Sequence, residues 1–109
     1  MEDIKQERYR EIIKQKASEF FERESAGGAL ITVTSVRLVE KSKRVTIFFT
    51  VYPNDKENGV LDFAKRKRSE FRNFLKHGSK LFKLPFVDFA IDLGEKNRQK
   101  IDSLSDLKY

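Results

Sequence analysis

The sequence has no cysteine, no tryptophan and only one histidine. The absence of cysteine excludes disulfides, zinc–thiolate sites and cysteine nucleophiles. The single histidine, His77, has no partner at a spacing typical of a metal or catalytic site, and we interpret it as a helix-end residue beside Gly78. We therefore expect no enzymatic activity, no metal, no cofactor and no small-molecule substrate.

Membrane and targeting signals are also missing from the sequence. No stretch approaches the roughly 18 apolar residues that a membrane-spanning helix needs. The amino-terminal segment MEDIKQERYREIIK is charged and contains acids, unlike a secretory signal or a transit peptide. We therefore expect a cytoplasmic protein without a membrane partner, and we expect it to be a monomer.

The composition is typical of one compact domain with a charged surface. The chain has 109 residues, of which 39% are hydrophobic and 37% are charged, and ten Phe and three Tyr are available for a core. The formal net charge is +6. Residues 60–83 contain eight Lys and Arg against two acids, Asp62 and Glu70, so this segment alone accounts for the whole net charge. Such a concentration of positive charge indicates a polyanionic partner.

Hydrophobic periodicity predicts the order of helices and strands. Apolar residues at helical spacing predict a helix over residues 3–24 and a bent helical region over residues 60–76. Alternating and β-branched stretches predict strands over residues 30–40, 44–52 and 85–93, the first two forming an antiparallel hairpin. If the basic region counts as two helical pieces, the order is α-β-β-α-α-β. Three strands with helices on one face make a two-layer α+β sandwich.

The predicted domain covers residues 1–93, and residues 94–109 form a polar carboxy-terminal tail. The tail is polar apart from Ile101, Leu104 and Leu107. This pattern is compatible with a short helix or with a frayed end, and it leaves both open.

The second strand has two faces, and the pattern does not decide which one the helices cover. One face carries Val45, Ile47, Phe49 and Val51, and the other carries Thr46, Phe48, Thr50 and Tyr52. Phe48 and Tyr52 are either stacking platforms for bases or part of a covered face, and a covered face is the more frequent arrangement.

The third strand is predicted to bury one face and to expose two acids on the other. Its buried face contains Val87, Phe89, Ile91 and Leu93. Asp88 and Asp92 share the opposite face, where they could hold a cation. Two carboxylates on a strand are more often simply solvated, and we expect no metal there.

The basic region separates apolar from cationic side chains around the helix axis. Its predicted buried stripe contains Val60, Ala64, Phe71, Phe74, Leu75 and Leu81 or Phe82. The candidate RNA-binding residues lie off this stripe and are Lys65, Arg66, Arg68, Arg72, Lys76, Lys80 and Lys83. A second, smaller basic cluster lies at the tip of the hairpin and contains Arg37, Lys41, Lys43 and Arg44.

Lys67 interrupts this separation, because a straight helix would place it on the apolar stripe between Ala64 and Phe71. Burying an unpaired ammonium group is costly. Either the side chain extends past the core to water, or the helix has a kink at Lys67, Arg68 and Ser69 that turns the position outward. We favour the kink.

The basic face has three interpretations. Most charge runs are solvated surfaces. Solubilising surfaces normally mix both signs, whereas this one is nearly all positive, which favours a polyanion such as nucleic acid. A membrane-surface helix is less favoured, because the apolar stripe already has a sheet to pack on. We expect Lys and Arg side chains to contact phosphates, with counterion release supplying most of the affinity.

Several sequence blocks resemble a known family. The segment LITVTSV at residues 30–36 is similar to a first-strand motif, and LPFVDFAID at residues 84–92 is similar to a third-strand motif that includes Phe89 and Asp92. The second strand follows the first at the same spacing, and RYREI at residues 8–12 resembles the start of the first helix. Together these blocks span roughly residues 5–93, and in their order and spacing they resemble the ribosome-binding factor A family.

The resemblance implies a type II KH-like fold in which an Ala-x-Gly kink joins two helices. At the kink position this chain has Lys67, Arg68 and Ser69, so both the alanine and the glycine are missing. We therefore interpret the chain as a divergent member of the family it resembles. The resemblance also implies binding to pre-30S particles and 16S rRNA near the decoding region. It further implies support of late rRNA maturation, including 5′-end processing, and a role in cold growth.

Two other functions stay open at this point. The first is a free-standing RNA- or DNA-binding module or regulator without ribosomal partners. The second is a protein-interaction domain whose basic face meets an acidic partner. The missing Gly-x-x-Gly loop counts against ordinary single-strand recognition by a KH domain, since that loop clamps the nucleic-acid backbone.

Overall fold

The structure, a computed structural model, describes residues 4–24, 28–39, 43–79 and 84–106, with side chains from residue 6 to residue 101 in those ranges. The helices are α1 (Ile4–Arg23), α2 (Glu57–Arg66), α3 (Arg68–Gly78) and α4 (Leu93–Asp106). The strands are β1 (Leu30–Val39), β2 (Arg44–Tyr52) and β3 (Phe86–Ile91), and a 3₁₀ turn (Asn54–Lys56) precedes α2. The predicted order α-β-β-α-α-β is confirmed, and α4 follows it.

The strands form one mixed sheet in the order β1-β2-β3. β1 and β2 make the predicted antiparallel hairpin, in which Leu30 lies opposite Tyr52 and Val39 opposite Arg44. β3 runs parallel to β2, because α2 and α3 carry the chain back across the sheet before it begins. The two edges of this sheet are therefore β1 and β3.

Helices α1, α2 and α3 cover the face of β2 that carries Val45, Ile47, Phe49 and Val51, all of which are buried. This arrangement decides the question that the sequence leaves open. The core is rich in aromatic side chains at edge-to-face angles, since the Phe71 ring centroid lies 5.3 Å from that of Phe20 and 5.6 Å from that of Phe89. The core therefore joins α1, α3 and β3 through one aromatic cluster.

The helical region breaks at Lys67, as predicted for a kinked helix pair. Its backbone has φ −94° and ψ 9°, and its N–H reaches the carbonyls of both Phe63 and Ala64 at 3.1 Å. The helix before the break buries Val60 and Ala64, and the helix after it buries Phe71 and Leu75. The change of direction lets both helices bury their apolar side on the sheet.

The break also places the Lys67 side chain at the surface. Its Nζ lies 3.2 Å from the Glu70 carboxylate and 5.7 Å from the centroid of the Phe63 ring. The ammonium group is thus paired and partly exposed. The kink therefore avoids the cost of burying an unpaired Lys67 charge on the apolar stripe.

The prediction that the third strand continues to a buried Leu93 is wrong. β3 ends at Ile91, and Leu93 is 64% exposed in the first turn of α4. The reason is the side chain of Asp92, whose Oδ1 accepts a hydrogen bond from the Glu95 N–H at 3.0 Å. Asp92 therefore acts as the N-cap of a helix, and the chain leaves the sheet there.

The predicted burial of Leu81 or Phe82 lies outside the described residues. The carboxy-terminal segment contains α4, and the boundary after residue 93 stays a prediction. No helix in the described ranges is both long enough and apolar enough to cross a bilayer.

Candidate nucleic-acid interface

Five of the candidate RNA-binding residues lie together on the outer side of the helix pair. They are exposed and are Lys65, Arg66, Arg68, Arg72 and Lys76. The opposite side of the same helices buries Val60, Ala64, Phe71 and Leu75. The helix pair therefore has the predicted division between a core side and a cationic side. Three further candidates, Lys41, Lys80 and Lys83, lie outside the described residues.

A cleft lies between the start of α3 and the edge strand β3. It has a volume of about 440 Å³ and is lined by Arg44, Arg68, Ser69, Arg72, Phe86 and Asp88, together with Val87. We call it the arginine cleft. Arg44 belongs to the hairpin cluster, so the cleft joins one member of that cluster to the basic helix pair. Arg37 and Lys43 are exposed but do not line it.

Arg72 is held in a defined position at the side of the arginine cleft. Its Nε donates a hydrogen bond to the carbonyl of Pro85 at 3.1 Å, and its Nη2 lies 3.5 Å from the carbonyl of Leu84. The guanidinium lies 5.7 Å from the centroid of the Phe86 ring, which is 63% exposed. The arrangement forms a cation–π pair and satisfies two carbonyls where the chain enters the edge strand.

Asp88 places a carboxylate among these cations. Its Oδ1 accepts hydrogen bonds from the Lys65 Nζ at 3.3 Å, the Arg68 Nη1 at 3.4 Å and the Phe89 N–H at 2.9 Å. Partial burial acts to raise the pKa of Asp88, but the Phe89 N–H and the two cations outweigh it and hold the pKa below its ordinary value. The Asp88 side chain is therefore a charged acceptor within a basic surface.

Sequence reasoning missed the role of Asp88, which it treated as a solvated acid. The alternation of β3 indicates only that Asp88 and Asp92 point away from the core. The pairing of Asp88 with Lys65 and Arg68 depends on how β3 aligns with the helix pair, and the local sequence carries no signal for that alignment. Phe86 was missed for the same reason.

Asp92 has a separate, structural environment. Its Oδ2 accepts a hydrogen bond from the Thr34 hydroxyl at 2.5 Å, at the register shift between Val33 and Ser35. The Thr34 hydroxyl, followed by the Glu95 N–H, lowers the pKa of Asp92 despite partial burial. Thr34 and Asp92 belong to the two sequence blocks that carry the family resemblance, and the fold brings them into contact.

Asp88 and Asp92 thus take different partners. In the described part of the chain, no group of three or more His, Cys, Asp or Glu side chains is arranged to hold a metal ion. His77 lies exposed in the last turn of α3.

The two aromatic residues considered as stacking platforms lie on the sheet face opposite α1, α2 and α3. Tyr52 is 73% exposed there, whereas Phe48 is half-buried. This face lies away from the cationic side of the helix pair. The two residues therefore belong to a different surface from the arginine cleft.

The fold and this surface define a small, basic α+β domain with a broken pair of helices on one side of a three-stranded sheet. The chain belongs to the ribosome-binding factor A family, since the model of that family matches residues 5–105. The resemblance seen in the sequence is confirmed. No curated protein sequence matches the chain significantly.

Two solved structures are similar in fold. The first is the crystal structure of ribosome-binding factor A from Thermus thermophilus, with 19% sequence identity and a TM-score of 0.66. The superposition covers 75% of this chain and 90% of that one. The second is a solution NMR structure of a Thermotoga maritima protein described as a candidate ribosome binding factor A, with 15% identity and a TM-score of 0.62. It covers 75% of this chain and 81% of that one. At these identities the likeness concerns the fold alone.

Proposed function

We propose that this protein is an assembly and maturation factor of the small (30S) ribosomal subunit. In this proposal it binds pre-30S particles and 16S rRNA through the basic side of α2 and α3. Family membership over residues 5–105 is the observation that carries the proposal, because the family is one of ribosome-binding factors. The concentration of the net charge in residues 60–83 supports RNA as the contacted component.

The proposed contact is mainly electrostatic. Exposed Lys and Arg side chains on α2 and α3 meet phosphates, and the released counterions supply most of the affinity. Lys80 and Lys83 extend this basic segment along the sequence. The hairpin cluster of Arg37, Lys41, Lys43 and Arg44 provides a second group of phosphate contacts, and Arg44 links the two groups at the arginine cleft.

The finer parts of the proposal concern when and where the protein acts. We propose that it supports late rRNA maturation, including processing of the 5′ end, and that growth depends on it most in the cold. We further propose that it acts as a monomer in the cytoplasm. Deletion of its gene should then cause accumulation of small-subunit rRNA with an unprocessed 5′ end, more strongly at low temperature.

Sedimentation of cell lysate through a sucrose gradient tests the main proposal. The protein is expected to migrate with free small subunits, and purified small subunits are expected to bind it more tightly than complete ribosomes do. Equal binding to both, or binding to neither, would contradict the proposal. Migration with free RNA alone would favour the free-standing RNA- or DNA-binding module.

A further inference from the structure

Asp88 is unexpected on a surface that binds only phosphates. A carboxylate repels phosphate, and it occupies two of the cations that would otherwise attract one, Lys65 and Arg68. All three of its hydrogen bonds with described residues end on Oδ1, at distances of 2.9 to 3.4 Å. Within the described ranges Oδ2 receives no hydrogen bond. Asp88 therefore keeps capacity to accept hydrogen bonds from a ligand in the arginine cleft.

The two ion pairs of Asp88 can be exchanged at little cost. The Lys65 and Arg68 side chains are 43% and 48% exposed, and both have long, flexible stems. Partly exposed pairs of this kind contribute little to stability. Both cations can therefore turn to an entering phosphate. Among the described residues, the Phe89 N–H then remains the one donor to Asp88, on Oδ1, and both carboxylate oxygens can accept a further hydrogen bond.

Two other lining residues of the cleft, Arg72 and Phe86, have planar side-chain groups. Arg72 lies over the Phe86 ring and is bound to the carbonyls of Pro85 and Leu84, so the guanidinium is held beside the ring before a ligand arrives. Bases of single-stranded RNA stack on aromatic rings and on guanidinium planes. The volume of about 440 Å³ lies within the range of small-ligand sites.

We propose that the arginine cleft is a subsite for one unpaired nucleotide of RNA and that Asp88 makes it prefer guanine. This proposal rests on the proposed function, because it assumes that RNA is the partner. The phosphate lies against Lys65 and Arg68, the base stacks on Phe86 beside Arg72, and the Asp88 carboxylate accepts hydrogen bonds from the base edge. No glycine loop is required, since side chains supply every contact.

The preference for guanine follows from the hydrogen-bonding chemistry of the bases. An ionised carboxylate only accepts hydrogen bonds. The Watson–Crick edge of guanine presents two adjacent donors, the N1–H and the N2 amino group, which match the two carboxylate oxygens. Adenine and cytosine present one donor group beside an acceptor nitrogen, and uracil presents one N–H between two carbonyls. An acceptor facing these carbonyls or nitrogens is repelled, so Asp88 selects against all three.

The test uses the full-length protein and fluorescein-labelled RNA hexamers. Each hexamer is oligouridine with guanine, adenine, cytosine or uracil at one central position, and fluorescence anisotropy measures the dissociation constant. We expect the guanine hexamer to bind about tenfold more tightly than the other three, the range of a good bidentate contact. Equal affinity for all four hexamers would overturn the proposal.

Variants assign the preference to Asp88. In Asp88→Asn the guanine preference should fall below about twofold, while affinity for the uracil hexamer should stay equal or rise because a negative charge is removed. Asp62→Asn removes an exposed acid of α2 with the same change in net charge, and it should keep the preference. Phe86→Ala should weaken binding of all four hexamers by at least about fivefold, because the stacking surface is removed. A guanine preference that persists in Asp88→Asn would overturn the assignment.

The hexamer test and the sedimentation experiment can contradict their two proposals independently of each other. A wild-type protein that prefers guanine but does not bind subunits would contradict the proposed function alone. A wild-type protein that binds subunits without any guanine preference would contradict the cleft proposal alone.

Discussion

At the scale of single residues, the aromatic core and the two acids Asp88 and Asp92 have opposite kinds of surroundings. Phe71 is fully buried and packs edge-to-face against both Phe20 and Phe89, so its surroundings are apolar and tightly filled. Asp88 lies on the outer side of β3 and Asp92 directly follows the strand, and hydrogen bonds and cations lower the pKa of both carboxyl groups. Alternation along β3 separates the two kinds of environment within a few residues.

Phe71→Ala is expected to lower the free energy of unfolding by roughly 3 to 5 kcal/mol, because it leaves a cavity between α1, α3 and β3. Urea denaturation followed by circular dichroism measures this decrease. Phe86→Ala is the matched control, because Phe86 is 63% exposed and its removal should cost less than about 1 kcal/mol. Similar decreases for the two variants would show that Phe71 is not a core residue.

Asp92→Ala should lower the stability of the protein by at least about 1 kcal/mol, because it removes both the cap hydrogen bond from the Glu95 N–H and the hydrogen bond from the Thr34 hydroxyl. Loss of the cap should also reduce the helical signal of α4. Circular dichroism and thermal unfolding measure both effects. Asp62→Ala removes an exposed acid that does not cap a helix, and it should change neither. An unchanged helical signal in Asp92→Ala would mean that the cap does not determine where α4 begins.

The pH dependence of the hydrogen bond between Thr34 and Asp92 has a definite sign. The pKa of Asp92 is lowered in the folded state, chiefly by the Thr34 hydroxyl. Its stabilising effect is therefore present above the unfolded pKa, near 4, and disappears as the pH falls through the folded pKa. Thr34→Val removes the hydroxyl donor, so it should destabilise the protein at neutral pH and less at low pH. Urea unfolding at several pH values measures the difference, and a destabilisation that grows on acidification would contradict this assignment.

At the scale of helices and strands, the basic helix pair has two kinds of cation. Lys65, Arg68 and Arg72 contact β3 or the chain leading into it, and they cover the edge of the sheet. Lys76 makes no hydrogen bond or ion pair with any described residue, and Arg66 reaches only a carbonyl of its own helix. The first group is engaged with the edge of the sheet, where Arg72 is the member bound to backbone carbonyls, whereas the second group makes no hydrogen bond or ion pair with the sheet in the described ranges.

The double variant Arg66→Ala/Lys76→Ala is expected to weaken RNA binding without changing stability. The slope of log K against log salt should flatten by about 0.7 to 0.9 for each phosphate that the variant no longer neutralises. Lys65→Ala/Arg72→Ala is the matched control, with the same change in charge, and it should lower both RNA affinity and stability. If Arg66→Ala/Lys76→Ala leaves the RNA affinity and the salt slope unchanged, Arg66 and Lys76 belong to a solvated surface. The hairpin cluster then becomes the main candidate for the RNA contact.

The sequence predicts those elements whose pattern is local. Alternation in β2 predicts its bounds, and the position of Lys67 on an apolar stripe predicts the break between α2 and α3 because a lone buried charge is too costly. The predicted end of β3 lies two residues too late, because alternation continues through Asp92 although that residue caps a helix. The arginine cleft cannot be predicted from local pattern, because it joins α3, β3 and Arg44, which are brought together only by the parallel crossover.

At the scale of the whole molecule, charge and core occupy different parts of the chain. The described core extends from Ile13 to Phe89, and none of its residues belongs to residues 93–101, the part of α4 whose side chains are described. Residues 94–109 contain four Lys and Arg and three acids, so they add little to the net charge of +6. A direct link between α4 and the rest of the domain is the ion pair between Lys96 and Glu57, at 3.0 Å.

A fragment of residues 1–93 should therefore fold and bind RNA by itself. Its free energy of unfolding is expected to fall by less than about 2 kcal/mol. The fragment keeps every buried core residue among the described side chains, and the truncation removes the partly exposed ion pair between Lys96 and Glu57 and the cap of α4. RNA affinity should stay within about twofold of that of the full chain, because the basic helix pair, to which we assign the phosphate contacts, is unchanged. Urea denaturation and fluorescence anisotropy measure the two quantities.

Lys96→Ala in the full chain separates the effect of the ion pair from the effect of the helix. A fragment that is unfolded, or that binds RNA poorly while Lys96→Ala binds it well, would place α4 within the functional domain and move its boundary beyond residue 93.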